Sequence, residues 1–224
     1  MEYSHLFGYR MGEFPFRYLG IPMHIQKLSN RYRKIIEERF EKKLAGWKGK
    51  LLSVGGRLVL INLVLSSLPM FMMSFFQVPK GVLKKLDYYR SRFYWKNDQH
   101  KKKYRFLKWE IICQPKQQGG LGLQNLEIQN TCLLSKWLYK LCNEEGMWQS
   151  LLRNKYLRNK TLWGCSKKAT DSQFWKGLMN VKDHFLRYGS FKVGNGAQIR
   201  FWEDTWLGAA PQIQVPSPVQ YCSP

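Results

Sequence analysis

The residues best equipped for chemistry in this 224-residue chain are Lys and Arg side chains interleaved with aromatic rings. Lys80, Lys84 and Lys85 lead into Tyr88, Tyr89, Arg90, Arg92, Phe93, Tyr94, Trp95 and Lys96. Lys101, Lys102, Lys103, Tyr104 and Arg105 follow. Between Lys80 and Lys108 stand 11 basic residues against two acids, Asp87 and Asp98. Cations at that density neutralise phosphates and release their counterions, while rings between them stack on exposed bases or sugars. Helical spacing sends some of those rings inward: Phe93 and one of Tyr88 and Tyr89 belong to a core face. Lys84, Lys85, Lys101, Lys102, Lys103 and Arg105 are the expected phosphate contacts.

The acids offer no matching catalytic set. Two-metal phosphoryl chemistry needs carboxylates close enough to clamp a pair of cations about 4 Å apart. The chain holds no Asp-Asp pair, and Glu37-Glu38 and Glu144-Glu145 sit in charged surface contexts. Glu203-Asp204 has no second ligand set near it. Cys113, Cys132, Cys142, Cys165 and Cys222 never approach the C-x₂₋₄-C spacing of a zinc turn, and His5, His24, His100 and His184 are scattered. An odd, irregular set of cysteines suits reduced thiols in an intracellular protein, with nucleus and cytoplasm left open. The expectation is a binding module without an active site, a cofactor or a metal of its own.

Composition agrees with that division between holding and reacting. The formal charge is +22, from 37 basic and 15 acidic residues, while 44% of residues are hydrophobic and 15% aromatic. Such a chain folds around a core and binds polyanions; nucleic acid comes first and an anionic membrane second. No small-molecule substrate is indicated. The N-terminus has no unbroken apolar stretch and carries Glu2 and Glu13, so no signal peptide is expected. Leu58–Pro79 passes without a charge and could span a bilayer. Pro69 near its middle, with Asn62, Ser66, Ser67 and Ser74, predicts instead two short buried helices meeting at the proline.

The elements that must position these groups are mostly helical. Residues 1–28 read as extended and turn-rich, with a short strand, or a strand end leading into a turn, over Tyr18–Pro22. A first helix starts after Ser29 or Asn30 and carries Tyr32, Ile35, Ile36, Phe40, Leu44 and Trp47 on one face. Helices are expected from the Ser53-Val54-Gly55-Gly56 string to about Leu68, from Pro69 to about Phe76, and from Val82 onward. A shorter one lies around Lys108–Cys113. Gly119-Gly120-Leu121-Gly122 reads as a linker or tight turn and a subdomain boundary, since no phosphate-loop pattern surrounds it. Beyond it come a helix capped by Asn125, one over about Gly146–Leu157, and one from Ser172 to Leu186. Gly194-Asn195-Gly196 predicts a small hairpin within 189–202. The proline-bearing tail is expected to be disordered.

Several strings, taken in order, resemble one family. They are Phe16-Arg17-Tyr18-Leu19-Gly20-Ile21-Pro22, Trp47-Lys48-Gly49-Lys50-Leu51-Leu52-Ser53-Val54-Gly55-Gly56-Arg57, and Leu68-Pro69-Met70-Phe71-Met72-Met73-Ser74. Gly119-Gly120-Leu121-Gly122, Ser135-Lys136-Trp137-Leu138 and Ile199-Arg200-Phe201-Trp202-Glu203-Asp204-Thr205-Trp206 continue the series. Over residues 14–208 they resemble the C-terminal part of plant non-LTR (LINE-type) retroelement reverse transcriptases. The resemblance implies the end of a palm over 1–28, a thumb-like helical domain over 29–113 and a helical connection region over 114–208, with a tail over 209–224. It implies that the catalytic Asp-Asp motif would precede residue 1 and that a zinc-binding module would follow residue 224. The piece would then grip an RNA–DNA or DNA duplex without sequence preference and would not polymerise alone. Lys48, Lys50 and Arg57 fall in the string that opens the thumb's second helix, and we add them to the expected nucleic-acid contacts. The rival expectations are a non-functional or structural retroelement remnant and a membrane-associated basic protein.

Overall fold

A computed structural model describes residues 16–18, 21–23, 31–47, 52–95, 107–158 and 164–189, with isolated positions at Gly8, Lys160, Leu162 and Asn195. The described chain is mostly helical. Its one sheet among these residues is a two-stranded antiparallel ladder, β1 Phe16–Tyr18 with β2 Ile21–Met23, in the register Phe16↔Met23, Arg17↔Pro22 and Tyr18↔Ile21. The strand expected near Tyr18 is thus part of a hairpin. Apart from Gly189 and Asn195, the 189–202 hairpin and the tail lie outside the described residues.

Helix α1 spans Arg31–Gly46. Helix α2 begins at Val54–Leu60, where the Ser53 hydroxyl accepts the Gly56 N–H at 3.1 Å, and continues as a π-helical turn over Ile61–Leu65. Helix α3 covers Met70–Phe75, immediately after Pro69. The charge-free run is therefore two short segments broken at the proline, as its sequence predicts. Among the described residues no helix is long and apolar enough to cross a membrane. The serines of this run bond helix carbonyls: Ser66 to Ile61 O, Ser67 to Leu63 O and Ser74 to Met70 O, each at 2.9 Å. That pairing lets polar side chains sit in an apolar segment at little cost.

Helix α4, Lys80–Trp95, packs against α1 and α2. A short α5, Trp109–Ile112, leads through a 3₁₀ turn at Lys116–Gln118 to α6, Leu126–Asn143. The Asn125 side chain caps α6, accepting the N–H groups of Glu127 and Ile128 at 2.9 and 3.1 Å. Helix α7, Met147–Leu152, runs on as a π-helical turn over Arg153–Leu157. Helix α8 is Gln173–Tyr188, capped by the Ser172 hydroxyl.

Two hydrophobic cores form, and they divide inside α6. The first gathers Phe40, Ile61, Leu65, Met73, Leu86, Phe93, Ile112, Leu123 and Leu126. The second gathers Leu134, Leu138, Leu141, Leu157, Trp175 and Leu178. The glycine-rich segment is a tight turn folded back on α5, with Leu121 N–H to Ile112 O at 2.9 Å and Gly122 N–H to Gln114 O at 3.0 Å. It lies within the first core's territory, so the change of core falls downstream of the position its composition suggests.

One buried side chain ties α6 to the charge-free run. Asn130 accepts the Val78 N–H at 2.9 Å and donates to Met73 O at 2.7 Å and Phe76 O at 2.9 Å. One turn pair further along α6, Trp137 donates to Ser74 O at 2.6 Å. The last turn of α3 has no intrahelical partners for these carbonyls, and α6 supplies them. Trp137 also links α3 to the second core, with ring centroids 5.6 Å from Phe75, 5.1 Å from Trp148 and 5.7 Å from Phe174.

Candidate nucleic-acid interface

Helix α4 exists because Val82, Leu83, Leu86, Phe93 and Tyr94 recur at helical spacing and bury one face. The opposite face leaves Lys84, Lys85, Tyr88 and Arg92 exposed to solvent. Residues 84, 88 and 92 are four apart, so a cation, a ring and a second cation follow one another along a single stripe. Tyr88 is half exposed and packs edge-on against Tyr89, with centroids 5.9 Å apart. An open ring between two cations can stack on a base or sugar while the cations hold flanking phosphates.

The inward ring of the pair is Tyr89. Its hydroxyl donates to Glu41 on α1 at 2.6 Å. That bond, with partial burial, pushes the phenol up to about 12. Lys85 pairs with Glu37 of α1, and Lys80 with Glu127 of α6 at 2.7 Å. Lys80 is held above the ordinary lysine range by its bond to Glu127. Both pairs are solvent-exposed on the lysine side and worth little to stability, and they reduce the positive field α4 shows to a polyanion. Lys84 and Arg92 are the two cations of the stripe in no ion pair among the described residues.

Two arginines lie inside, contrary to the surface positions expected of them. Arg57 is 4% exposed; its Nε donates to Leu52 O and its Nη1 to Tyr94 O, each at 3.1 Å. Tyr94 belongs to the last turn of α4, where carbonyls lack intrahelical partners and the helix dipole favours a cation. Arg57 therefore closes α4 and is withdrawn from the nucleic-acid contacts. Arg90 is fully buried, donating to Asp87 at 2.7 Å and Gln124 O at 2.9 Å, with its guanidinium carbon 5.7 Å from the Trp109 ring centroid. It joins α4 to the loop before α6. Burial raises the Asp87 carboxyl above its usual range, and Arg90 opposes that shift.

Lys48 and Lys50 lie outside the described residues, as do Lys101, Lys102, Lys103 and Arg105. Of the expected contacts, the structure thus brings together Lys84 and Lys85 on α4 and removes Arg57. Sequence reasoning passed over a second basic stretch. Arg153, Lys155, Arg158, Lys160, Lys167 and Lys168 occupy 16 residues without a single acid, with Tyr156 and Trp163 among them, a signal as plain as the first. Among the described residues no three His, Cys, Asp or Glu side chains cluster as a metal site.

Known proteins share this sequence in part. A protein of Arabidopsis thaliana named "Putative ribonuclease H protein" is 35% identical over 189 residues, covering 80% of this chain. This chain spans 30% of that relative's length. Another Arabidopsis thaliana protein, named "Uncharacterized mitochondrial protein", is 27% identical over 143 residues, covering 63% of this chain and 93% of its own length. No family model matches the chain, and no solved structure does.

Proposed function

We propose that this chain is the thumb and connection region of a non-LTR retroelement reverse transcriptase, holding a template–primer duplex without reading its sequence. The relatives fit a general retroelement link, and a name mentioning ribonuclease H fits nucleic acid as the partner. The observation that carries the reading is the exposed Lys84–Tyr88–Arg92 stripe on α4, leading in sequence toward Lys101–Arg105. Phosphate contacts through flexible cations are indifferent to base identity, so the grip follows a duplex as it moves. In this reading the copying chemistry belongs to another segment, since the chain has no adjacent aspartates to hold two metal ions.

The test is binding of the full chain to short RNA–DNA and DNA duplexes over a salt series. A steep fall in affinity with salt, similar for unrelated sequences, is the expected result, with no nucleotide incorporation. Replacing Lys101, Lys102 and Lys103 with Ala lowers the salt slope by up to about three. Failure to bind any duplex at low salt overturns the reading.

A further inference from the structure

A concentration of unpaired positive charge lies away from α4, where α7, the segment after it and α8 meet. Lys155, Arg158, Lys160 and Lys168 stand exposed around a cleft of about 480 Å³, and Asp171 is its one acidic lining residue. Asp171 is turned to backbone, accepting the Lys168 N–H at 2.7 Å. Among the described residues none of the four basic side chains enters an ion pair, unlike Lys80 and Lys85 of α4.

The cleft's floor is a stacked aromatic pair. Tyr156 stacks on buried Trp175 with centroids 4.4 Å apart and planes 6° from parallel, and its hydroxyl donates to Ser172 at 2.8 Å. The Lys155 ammonium sits 5.3 Å from the centroid of the same ring. With Trp175 on one face and Lys155 over the ring, Tyr156 is a support for charge and not a stacking platform for a base. Arg158 at the rim has φ 52°, the one positive φ outside glycine among the described residues. Its N–H donates back to Arg153 O at 2.6 Å. Backbone held in so sparse a region is a mark of ligand sites when it accompanies a built cleft.

The cleft does not end at one phosphate's width. Lys168 also lines a neighbouring cleft of about 350 Å³, beside Lys167, Lys176 and the Phe76–Pro79 connector. Lys167 donates to the Asn180 side chain at 3.0 Å and Lys176 to Ala169 O, both neutral acceptors, so their charge stays uncompensated. Adjoining clefts that share a lysine suit successive phosphates along a strand.

We infer that the α7–α8 cleft is a second nucleic-acid contact, taking the phosphodiester backbone of a strand through Lys155, Arg158, Lys160 and Lys168. The assignment rests on the reading of nucleic acid as partner and extends the contact beyond the thumb-like helices. The variant Lys155→Gln/Lys160→Gln/Lys168→Gln leaves Arg158 and its backbone untouched, and Lys84→Gln/Arg92→Gln serves as the α4 comparison. In duplex binding by the full chain over a salt series, the cleft variant loses about 2–3 from the salt slope and the α4 variant about 2. In the unaltered chain, a duplex protects Lys155, Lys160 and Lys168 from amine acetylation, a readout independent of any variant. A cleft variant with an unchanged slope, while α4 substitutions still lower it, overturns the cleft and leaves the thumb reading standing. A chain that binds no duplex removes both. Equal protection of the three lysines by poly-glutamate of matched charge also overturns the assignment, in favour of an acidic peptide.

Discussion

Side chains of one type do opposite work here according to what stands beside them. Lys84 reaches solvent, whereas Arg57 closes the end of α4 through Tyr94 O. Arg57→Ala removes the buried donor of Leu52 O and Tyr94 O and should lower stability by roughly 2–3 kcal/mol in denaturant unfolding. Lys84→Ala should leave stability within about 0.5 kcal/mol and weaken duplex binding instead. Asn130→Ala strands Val78 N–H, Met73 O and Phe76 O and should cost roughly 3 kcal/mol in the same measurement. Two proton equilibria offer further checks. The Tyr89 phenol is favoured protonated in the fold, so its contribution is whole below about pH 10 and is lost as pH rises toward about 12. The stability gap between the unaltered chain and Tyr89→Phe should shrink across that window. Burial pushes the Cys113 thiol up to about 11, while Cys132 is exposed. Iodoacetamide at mildly alkaline pH should label Cys132 well before Cys113, because the thiolate is the reacting form.

At the scale of elements, the helices were legible because their signals are local. Apolar spacing, the caps Ser53, Asn125 and Ser172, and the break at Pro69 all act within a turn or two of the residues they organise. Arg57 and Arg90 were not legible, since their partners, Tyr94 O and Gln124 O, lie 37 and 34 residues away. Helical spacing did place Phe93 and one tyrosine of the pair inward; it could not say that Glu41 would choose Tyr89. The Lys155–Lys168 cleft escaped notice because its aromatic floor comes from Tyr156 and Trp175, 19 positions apart in the chain. The glycine turn gives a test of element geometry. At Gly120 an added Cβ would meet the backbone carbonyl of Gln114, whereas Gly122 has room but φ 68°. Gly120→Ala should therefore cost roughly 2–3 kcal/mol and Gly122→Ala about 1 kcal/mol, read from shifts in the unfolding midpoint.

For the whole molecule, α6 is a helix shared by both cores. Its first half closes the core that carries the α4 stripe, and its second half closes the core under the α7–α8 cleft. Asn130 and Trp137 tie both halves to the α3 end. The +22 charge is proposed as a grip on nucleic-acid backbone, exerted without regard to sequence. The salt dependence of binding to an RNA–DNA duplex by the full chain tests this most directly. A log–log slope of about −5 or steeper, equal for unrelated sequences, is the result predicted from several simultaneous phosphate contacts. A flat dependence, or no binding at low salt, would contradict it.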